Sequence, residues 1–397
     1  MIPFRDRTGL EDRALGQPMT GLAGRKSYRK TVALYDVDSR IPNLALMKLS
    51  AWHKARGGRV RLVRHSGEAI SADAHFAATI FHRTASIRRI AALRESIGDS
   101  LVVGGTGGDL RTRLPPGAER MFPDYSLYGH SRYAIGFLTR GCVCHCPFCL
   151  VPRKEGRLRR CSGGFDAFVP RGQKQVMLLD NNLLAHPDAD EMLREAVRRD
   201  YAVNFSQSLD IAYLTAPLFD ILRQVDSRNA RFTRRQFYFS VNGTSDIARF
   251  EEARTWLRSL GKDAVSVILL YGYNTHLSED YARMLMLRRL RLIPFFQEYW
   301  PLPGLSARHP DDFFDMDLRE VIRLTFRSNG YNWEKYLRWL NRLYFQTFGR
   351  YYRPLVEIIY RYNNKERITR YLQRPEFLTT ELYRRHSYDA RVLVNVV

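Results

Sequence analysis

The first apolar run, KTVALYDVD (Lys30–Asp38), is continuous and ends in acids, the pattern of a strand buried on both faces. Behind it, NLALMKLSAWHKARGG places Leu44, Leu46, Met47, Leu49 and Trp52 at helical spacing and stops at glycines. RVRLV (Arg59–Val63) predicts a second strand, HFAATIF (His75–Phe81) a third and SLVVGGTGG (Ser100–Gly108) a fourth. SIRRIAALRESIG predicts a helix between the last two. Strands alternating with helices imply a parallel sheet with helices on its faces. Residues 30–115 therefore predict a small Rossmann-like domain, and residues 1–29, with scattered charges and glycines, a loosely ordered lead-in.

RTRLPPGAERMFPDYSLYGH (Arg111–His130) is rich in proline and glycine, and a linker is expected over 116–132. YAIGFLTR (Tyr133–Arg140) opens a second series of strands. QVMLLD (Gln175–Asp180), YAVNFSQ (Tyr201–Gln207), QFYFSVN (Gln236–Asn242), AVSVILLYG (Ala264–Gly272) and LIPFFQEYW (Leu292–Trp300) continue it, with helical patterns between them. Six β units are too few for an eightfold barrel and predict a partial (βα)6 TIM-type barrel over 133–309. From 310 to 397 the pattern turns helical and aromatic, as in YNWEKYLRWLNRLYFQTFGRYYRPLVEIIYRY. The expected fold class is α/β: a Rossmann-like domain, a partial barrel and a helical C-terminal cap.

A chain 45% hydrophobic and 12% aromatic is globular rather than disordered. No run approaches the length of a membrane span, and the N-terminus shows no signal-peptide pattern, so a cytoplasmic protein with no membrane partner is expected. The net charge of +22, from 63 Lys and Arg against 41 Asp and Glu, invites a polyanionic partner such as nucleic acid. From Leu318 onward 16 Lys and Arg stand against 7 Asp and Glu, interleaved with aromatics. That region reads either as a surface that stacks bases and neutralises phosphates, or as an amphipathic cap whose aromatics are core.

Four of the five cysteines lie in GCVCHCPFC (Gly141–Cys149), and Cys161 follows. Such crowding in a cytoplasmic chain does not make a disulfide framework. A structural zinc site usually joins two CxxC-type pairs from separate places; here there is one knuckle, which His145 and Cys161 could complete. Cys142, Cys146 and Cys149 also read as CxxxCxxC. Three thiolates can hold three irons of a cubane cluster that normally takes four, leaving one iron open. An open coordination position distinguishes reactive metal sites from structural ones. The loop follows a strand, so the site is expected at the carboxyl-end mouth of the barrel.

TRGCVCHCPFC in this setting resembles the cluster loop of the radical S-adenosylmethionine (SAM) superfamily, CxxxCxxC with an aromatic just before the last cysteine, here Phe148. The resemblance implies a [4Fe-4S] cluster held by Cys142, Cys146 and Cys149, with Cys144 a bystander and Cys161 unligated. It implies SAM on the open iron, and an electron donor such as flavodoxin or ferredoxin. It implies reductive cleavage to methionine and a 5′-deoxyadenosyl radical that abstracts hydrogen from a substrate. Asp180, Asn181 and Asn182 in MLLDNN stand where the family holds the SAM amino group, unless they form a helix-capping turn before Pro187. Gln207 and Asp210 in NFSQSLD, and Ser240 and Asn242 in FYFSVNG, suit the ribose and carboxylate of SAM, or turns. ILLYGYN resembles the segment that lies against adenine. Glu298 in FFQEYWP reads as a ribose or substrate contact, or as a buried salt-bridge partner. Within this reading the substrate is either a nucleic acid or nucleotide, or a small molecule or peptide. The alternative class is a zinc- or Fe–S-stabilised nucleic-acid-binding protein without SAM chemistry.

The order of domains resembles the radical SAM class with an N-terminal cobalamin-binding-like domain, echoed by YDVDSRIPNLALMKLSAWHKARGG, LVVGGTGG and LPPGAERMFPDYSLYG. Cobalamin is thereby an implied cofactor. The family's lower-ligand signature, Asp-x-His-x-x-Gly, is missing, because DVDSRIPN has neither the His nor the Gly. GGTGG reads as a phosphate cradle at a helix start or as a tight turn.

Overall fold

A computed structural model describes residues 30–129, 132–261, 263–301, 310–328, 330–361, 367 and 387–389. The lead-in expected over 1–29 lies outside the described residues. The chain is a mixed α/β protein with parallel sheets.

The first apolar run is β1 (Thr31–Asp36), buried on both faces. It is followed by α1 (Leu44–Lys54), β2 (Arg59–Arg64), β3 (Ala74–Ala78), α2 (Thr84–Ile97) and β4 (Leu101–Gly104). The strands pair in parallel in the order β2-β1-β3-β4. Ile90 and Leu93 of α2 pack on Ala33, Tyr35, Ala77 and Val103, while Leu46 and Leu49 of α1 pack on Val32 and Leu34 across the sheet. Each Leu, Ile or Val of these removed from water stabilises the unit by about 1.5–3 kcal/mol before ordering costs.

β3 ends three residues before the apolar run does. The amides of Ile80 and Phe81 donate to the Asp38 carboxylate (2.8 and 3.0 Å) instead of to a strand, and the hydroxyls of Thr79 and Ser86 donate to it as well (both 2.7 Å). The glycines behind β4 close onto this connection. Gly105 has φ +97°, and a Cβ there would meet Thr79 O at 2.1 Å; one at Gly107 would meet Phe81 O at 2.3 Å. GGTGG is thus a tight turn, and the next helix, α3 (Pro116–Glu119), starts only later. The stretch expected as a linker is docked on both sides. Asp124 accepts from Ser50 Oγ and Lys54 Nζ of α1 (both 2.6 Å), and Tyr125 OH donates to Phe168 O (2.6 Å).

The second series runs β5 (Ala134–Gly136), β6 (Thr139–Arg140), α4 (Val151–Glu155), β7 (Arg159–Arg160), β8 (Gln175–Leu178), α5 (Ala189–Arg198), β9 (Ala202–Phe205), α6 (Ala216–Leu222) and β10 (Asp226–Ser227). It continues with β11 (Phe237–Val241), α7 (Asp246–Glu252), α8 (Arg254–Ser259), β12 (Val265–Tyr271), α9 (Leu277–Leu290) and β13 (Ile293–Glu298). Parallel sheets β10-β9-β8-β5 and β11-β12-β13 meet at a parallel bridge between Leu209 and Phe239. The single strand expected over 133–140 is broken in two, because Asp180 takes the amides of Leu138 and Thr139 (3.1 and 2.5 Å) out of the ladder.

Side chains alternate between two faces of these strands. Val176, Leu178, Val203, Phe205, Phe239, Val241, Val267, Leu269 and Phe296 share one large core with the helices. On the opposite face Ile135 and Met177 pack against Leu44 and Met47 of α1. Farther along that face Ser240, Ile268 and Leu270 are half-buried and Gln297 is exposed.

The C-terminal region adds α10 (Leu318–Arg327), α11 (Trp333–Phe348), β14 (Arg350–Tyr352), α12 (Arg353–Val356) and β15 (Ser387–Asp389), the last antiparallel to β14. Tyr336, Leu337, Trp339, Leu340 and Tyr344 of α11 are core, and Tyr336 stacks on Phe296 (5.0 Å between rings). The helix is therefore an amphipathic cap with Tyr336, Trp339 and Tyr344 facing inward and Phe348 exposed at its end. The fully buried Arg283 of α9 donates to Val241 O, Asn242 O and Leu270 O (3.3, 3.2 and 2.8 Å) and pairs with Asp280. Tyr336 OH and Thr275 Oγ1 donate to the same Asp280 carboxylate (3.0 and 3.1 Å). Among the described residues no helix is long and apolar enough to cross a membrane.

Candidate active site

The cysteine loop leaves the sheet at β6 and returns at β7, which pair antiparallel, Arg140 opposite Arg159. Glu155 pinches this neck. Arg140 donates to both its oxygens (3.0 Å each), and Gly141 N and Asn181 Nδ2 donate to Oε2 (3.1 Å each). Gly141 has φ +84°, and a Cβ there would meet Arg157 O at 2.2 Å, so the turn into the loop requires glycine.

Asp180 lies behind the neck. Its oxygens accept from Leu138 N, Thr139 N and Thr139 Oγ1 (2.7 Å for the hydroxyl). Burial pushes its carboxyl up to about 6, against the pull of those hydrogen bonds. Asp180 thus faces the strand that leads into the loop, Asn181 faces the neck, and neither caps a helix.

Asn182 is the member of the trio at the thiols. Its Nδ2 lies 3.8 Å from Cys142 Sγ, 3.8 Å from Cys144 Sγ and 3.1 Å from Asp210 Oδ2. Its Oδ1 is buried without a hydrogen-bond partner, a condition that costs about 1–3 kcal/mol. Cys144 Sγ lies 3.9 Å from Asp210 Oδ2 and 3.7 Å from Tyr213 OH.

All five cysteines are free and part-exposed. Burial, then the neighbouring Cys144, Cys149 and Cys142 and Asp210, push the Cys146 thiol up to about 11; burial and then Cys142 raise Cys149. Thiolates this close repel until a cation neutralises them, so metal binding and deprotonation are coupled here. Among the described residues no group of three or more His, Cys, Asp or Glu is placed to hold a metal ion. A cubane makes a different demand: each thiolate takes its own iron, and the ligands stand around a cube rather than converging on one point.

Phe148 reaches to the ends of β12 and β13. Its ring meets Tyr273 at 5.5 Å, and Tyr273 meets Tyr299 at 4.8 Å. The Tyr299 hydroxyl is buried without a partner. The sequence singled out Phe148 but not Tyr273, Tyr299 or Tyr213; Tyr273 and Tyr299 stand two and one residues past the ends of β12 and β13, a weak signal, and Tyr213 carries none.

The other expected residues do not join the thiols in any described contact. Gln207 is exposed, with Nε2 3.5 Å from Ser206 Oγ. Ser240 is half-buried on the face opposite the helices, and Asn242 is held by its backbone to Asp246 and Arg283. Glu298 shares its face with Phe296 and accepts from Arg342 of α11 (3.2 Å), while burial holds its carboxyl up. It has the salt-bridge geometry, and Gln297 takes the opposite face.

No family model matches the chain, and no curated protein matches it in sequence. Among solved structures it is similar to Streptococcus suis SuiB bound to S-adenosylmethionine, at 12% identity and TM-score 0.32, over 54% of this chain and 48% of that one. SuiB without that ligand gives 12% and 0.32 over 54% and 46%. SuiB bound to precursor peptide SuiA gives 13% and 0.33 over 53% and 46%. The chain spans about half the length of these neighbours.

Proposed function

We propose that this chain is a radical SAM enzyme, with Cys142, Cys146 and Cys149 as ligands of one [4Fe-4S] cluster. The observation that carries the reading is the CxxxCxxC loop pinned at the carboxyl end of a parallel strand, with the unpartnered Asn182 carbonyl beside Cys142. The chemistry such a cluster supplies with SAM bound is reductive cleavage to methionine and a 5′-deoxyadenosyl radical. Glu155 and Arg140 hold the neck so that the three thiols keep their spacing. Asn182 and Asp210 offer a carbonyl and a carboxylate to a cationic group beside Cys142, such as the amine of SAM. Phe148, Tyr273 and Tyr299 screen that place from water. In this reading β5, β8, β9, β11, β12 and β13 are the strands of a partial (βα)6 barrel over 133–309. The four-stranded unit is a Rossmann-like domain over 30–115, residues 310–397 are a cap, and the electron comes from a cytoplasmic flavodoxin or ferredoxin.

Anaerobic reconstitution with iron and sulfide, followed by dithionite and SAM, is expected to yield 5′-deoxyadenosine. A protein that takes up no cluster, or a reduced cluster that never cleaves SAM, overturns the reading. Cys142→Ala is expected to abolish iron retention and Cys144→Ala to leave it intact; the reverse overturns the choice of ligands.

A further inference from the structure

In a doubly wound parallel sheet the ligand crevice lies outside the carboxyl ends of the strands, where the strand order reverses. In β2-β1-β3-β4 the order reverses between β1 and β3. Asp38 follows β1 and Thr79–Phe81 follow β3, so both flank that crevice. The amides of Ile80 and Phe81 and the hydroxyls of Thr79 and Ser86 are the donors that an anionic ligand would use beside the start of α2. All four already donate to Asp38. The far wall is closed by backbone, since the Cβ positions of Gly105 and Gly107 fall on Thr79 O and Phe81 O. His82, the imidazole in this connection, is turned onto Gly107 O at 3.2 Å. The residues present therefore do not fit cobalamin: the four donors that flank the crevice are already taken by Asp38, backbone closes it behind the glycines, and His82 is turned onto Gly107 O.

We infer that Asp38 occupies the switch-point crevice as an internal anion, and that the N-terminal unit takes up no cobalamin and instead braces the barrel mouth. The connection that Asp38 locks carries Phe81 and Arg83 to the end of β13. The Arg83 guanidinium lies 4.5 Å from the Phe81 ring and 5.6 Å from the Trp300 ring. On the other side of the unit Leu44 and Met47 cover Ile135 and Met177. An isolated cofactor carrier would need neither contact. The inference stands apart from the cluster, because none of its residues touches the cysteine loop in a described contact.

The test uses the full chain. Wild-type protein incubated with hydroxocobalamin and passed through gel filtration is expected to elute without the corrinoid chromophore; one equivalent carried with the protein overturns the inference. Amide hydrogen exchange then reads the lock itself. In Asp38→Ala the Ile80 and Phe81 amides are expected to exchange at least about tenfold faster, the loss of a hydrogen bond to a charged acceptor. Asp38→Asn, which keeps one acceptor oxygen, is expected to fall between the two. Unchanged exchange in Asp38→Ala overturns the inference. If that variant does not fold, the cobalamin measurement on the wild type still decides it.

Discussion

At the ends of β1 and β3, Asp38 collects two amides and two hydroxyls and the glycines behind close on backbone. At the ends of β5 and β8, Asn182 keeps a buried oxygen without a partner beside thiols that raise one another's proton affinity. Both are carboxyl ends of parallel strands, the usual position for a ligand. The first has met its own polar demand, whereas the second is left with demand that only something added can meet. The backbone at the ends of β11 and β12 belongs with the first kind, because Arg283 takes three of its carbonyls, although Arg283 Nε and the Tyr271 hydroxyl are buried there without a partner. An unsatisfied group beside a cluster of thiols, and not a strand end as such, separates a site from a brace.

The contrast can be broken at several points. Arg283→Met leaves Asp280 buried without its cation, and equilibrium unfolding in urea is expected to show a loss of about 3–5 kcal/mol; a loss below about 1 kcal/mol would remove β11 and β12 from the closed class. Asp180 is next. Its carboxyl rises from 3.8 to about 6 on folding, so the native state keeps the proton longer. Its contribution is full below 3.8 and fades as pH rises to about 6, a decline on the order of 3 kcal/mol. Asp180→Asn lacks that decline, and the difference between the two unfolding curves over this window measures it; parallel curves would show a carboxylate ionised by its hydrogen bonds. Asp38→Ala is expected to destabilise by about 2–3 kcal/mol, the loss of several charge-assisted hydrogen bonds. Asn182→Ala is the smallest, under about 1 kcal/mol, because deleting an unpartnered carbonyl offsets the lost bond to Asp210. Equal losses at Asp38 and Asn182 would erase the distinction.

Much of the frame is written in local pattern. Val32–Tyr35 and Val265–Tyr271 are apolar runs of strand length, and each lies where the run does. β10 does not show itself, since Asp226 and Ser227 form a strand only by filling the gap beside β9. The break between β5 and β6 depends on Asp180, some forty residues away, and no window that short contains it. Spacing marks Cys142, Cys146 and Cys149 as a set, and it puts Asp180, Asn181 and Asn182 at one strand end. It does not say which of the trio turns to the thiols, because that depends on Thr139 and Glu155 claiming the other two. For Glu298 the alternation with Phe296 is legible, yet both faces of β13 carry apolar residues, so only the packing of α11 tells which face holds the charge.

The neck formed by Arg140, Gly141 and Glu155 also bears on how such a loop can change over time. A segment whose two ends are clasped to each other transmits little of its internal length or composition to the sheet that carries it. Residues between Cys142 and Lys154 other than Cys146, Phe148 and Cys149 are therefore the ones free to vary. A protease cut inside the clasp would leave the two fragments associated, held by β6 against β7. Variation in what this loop accepts has room to arise at those positions while the sheet that holds it stays the same.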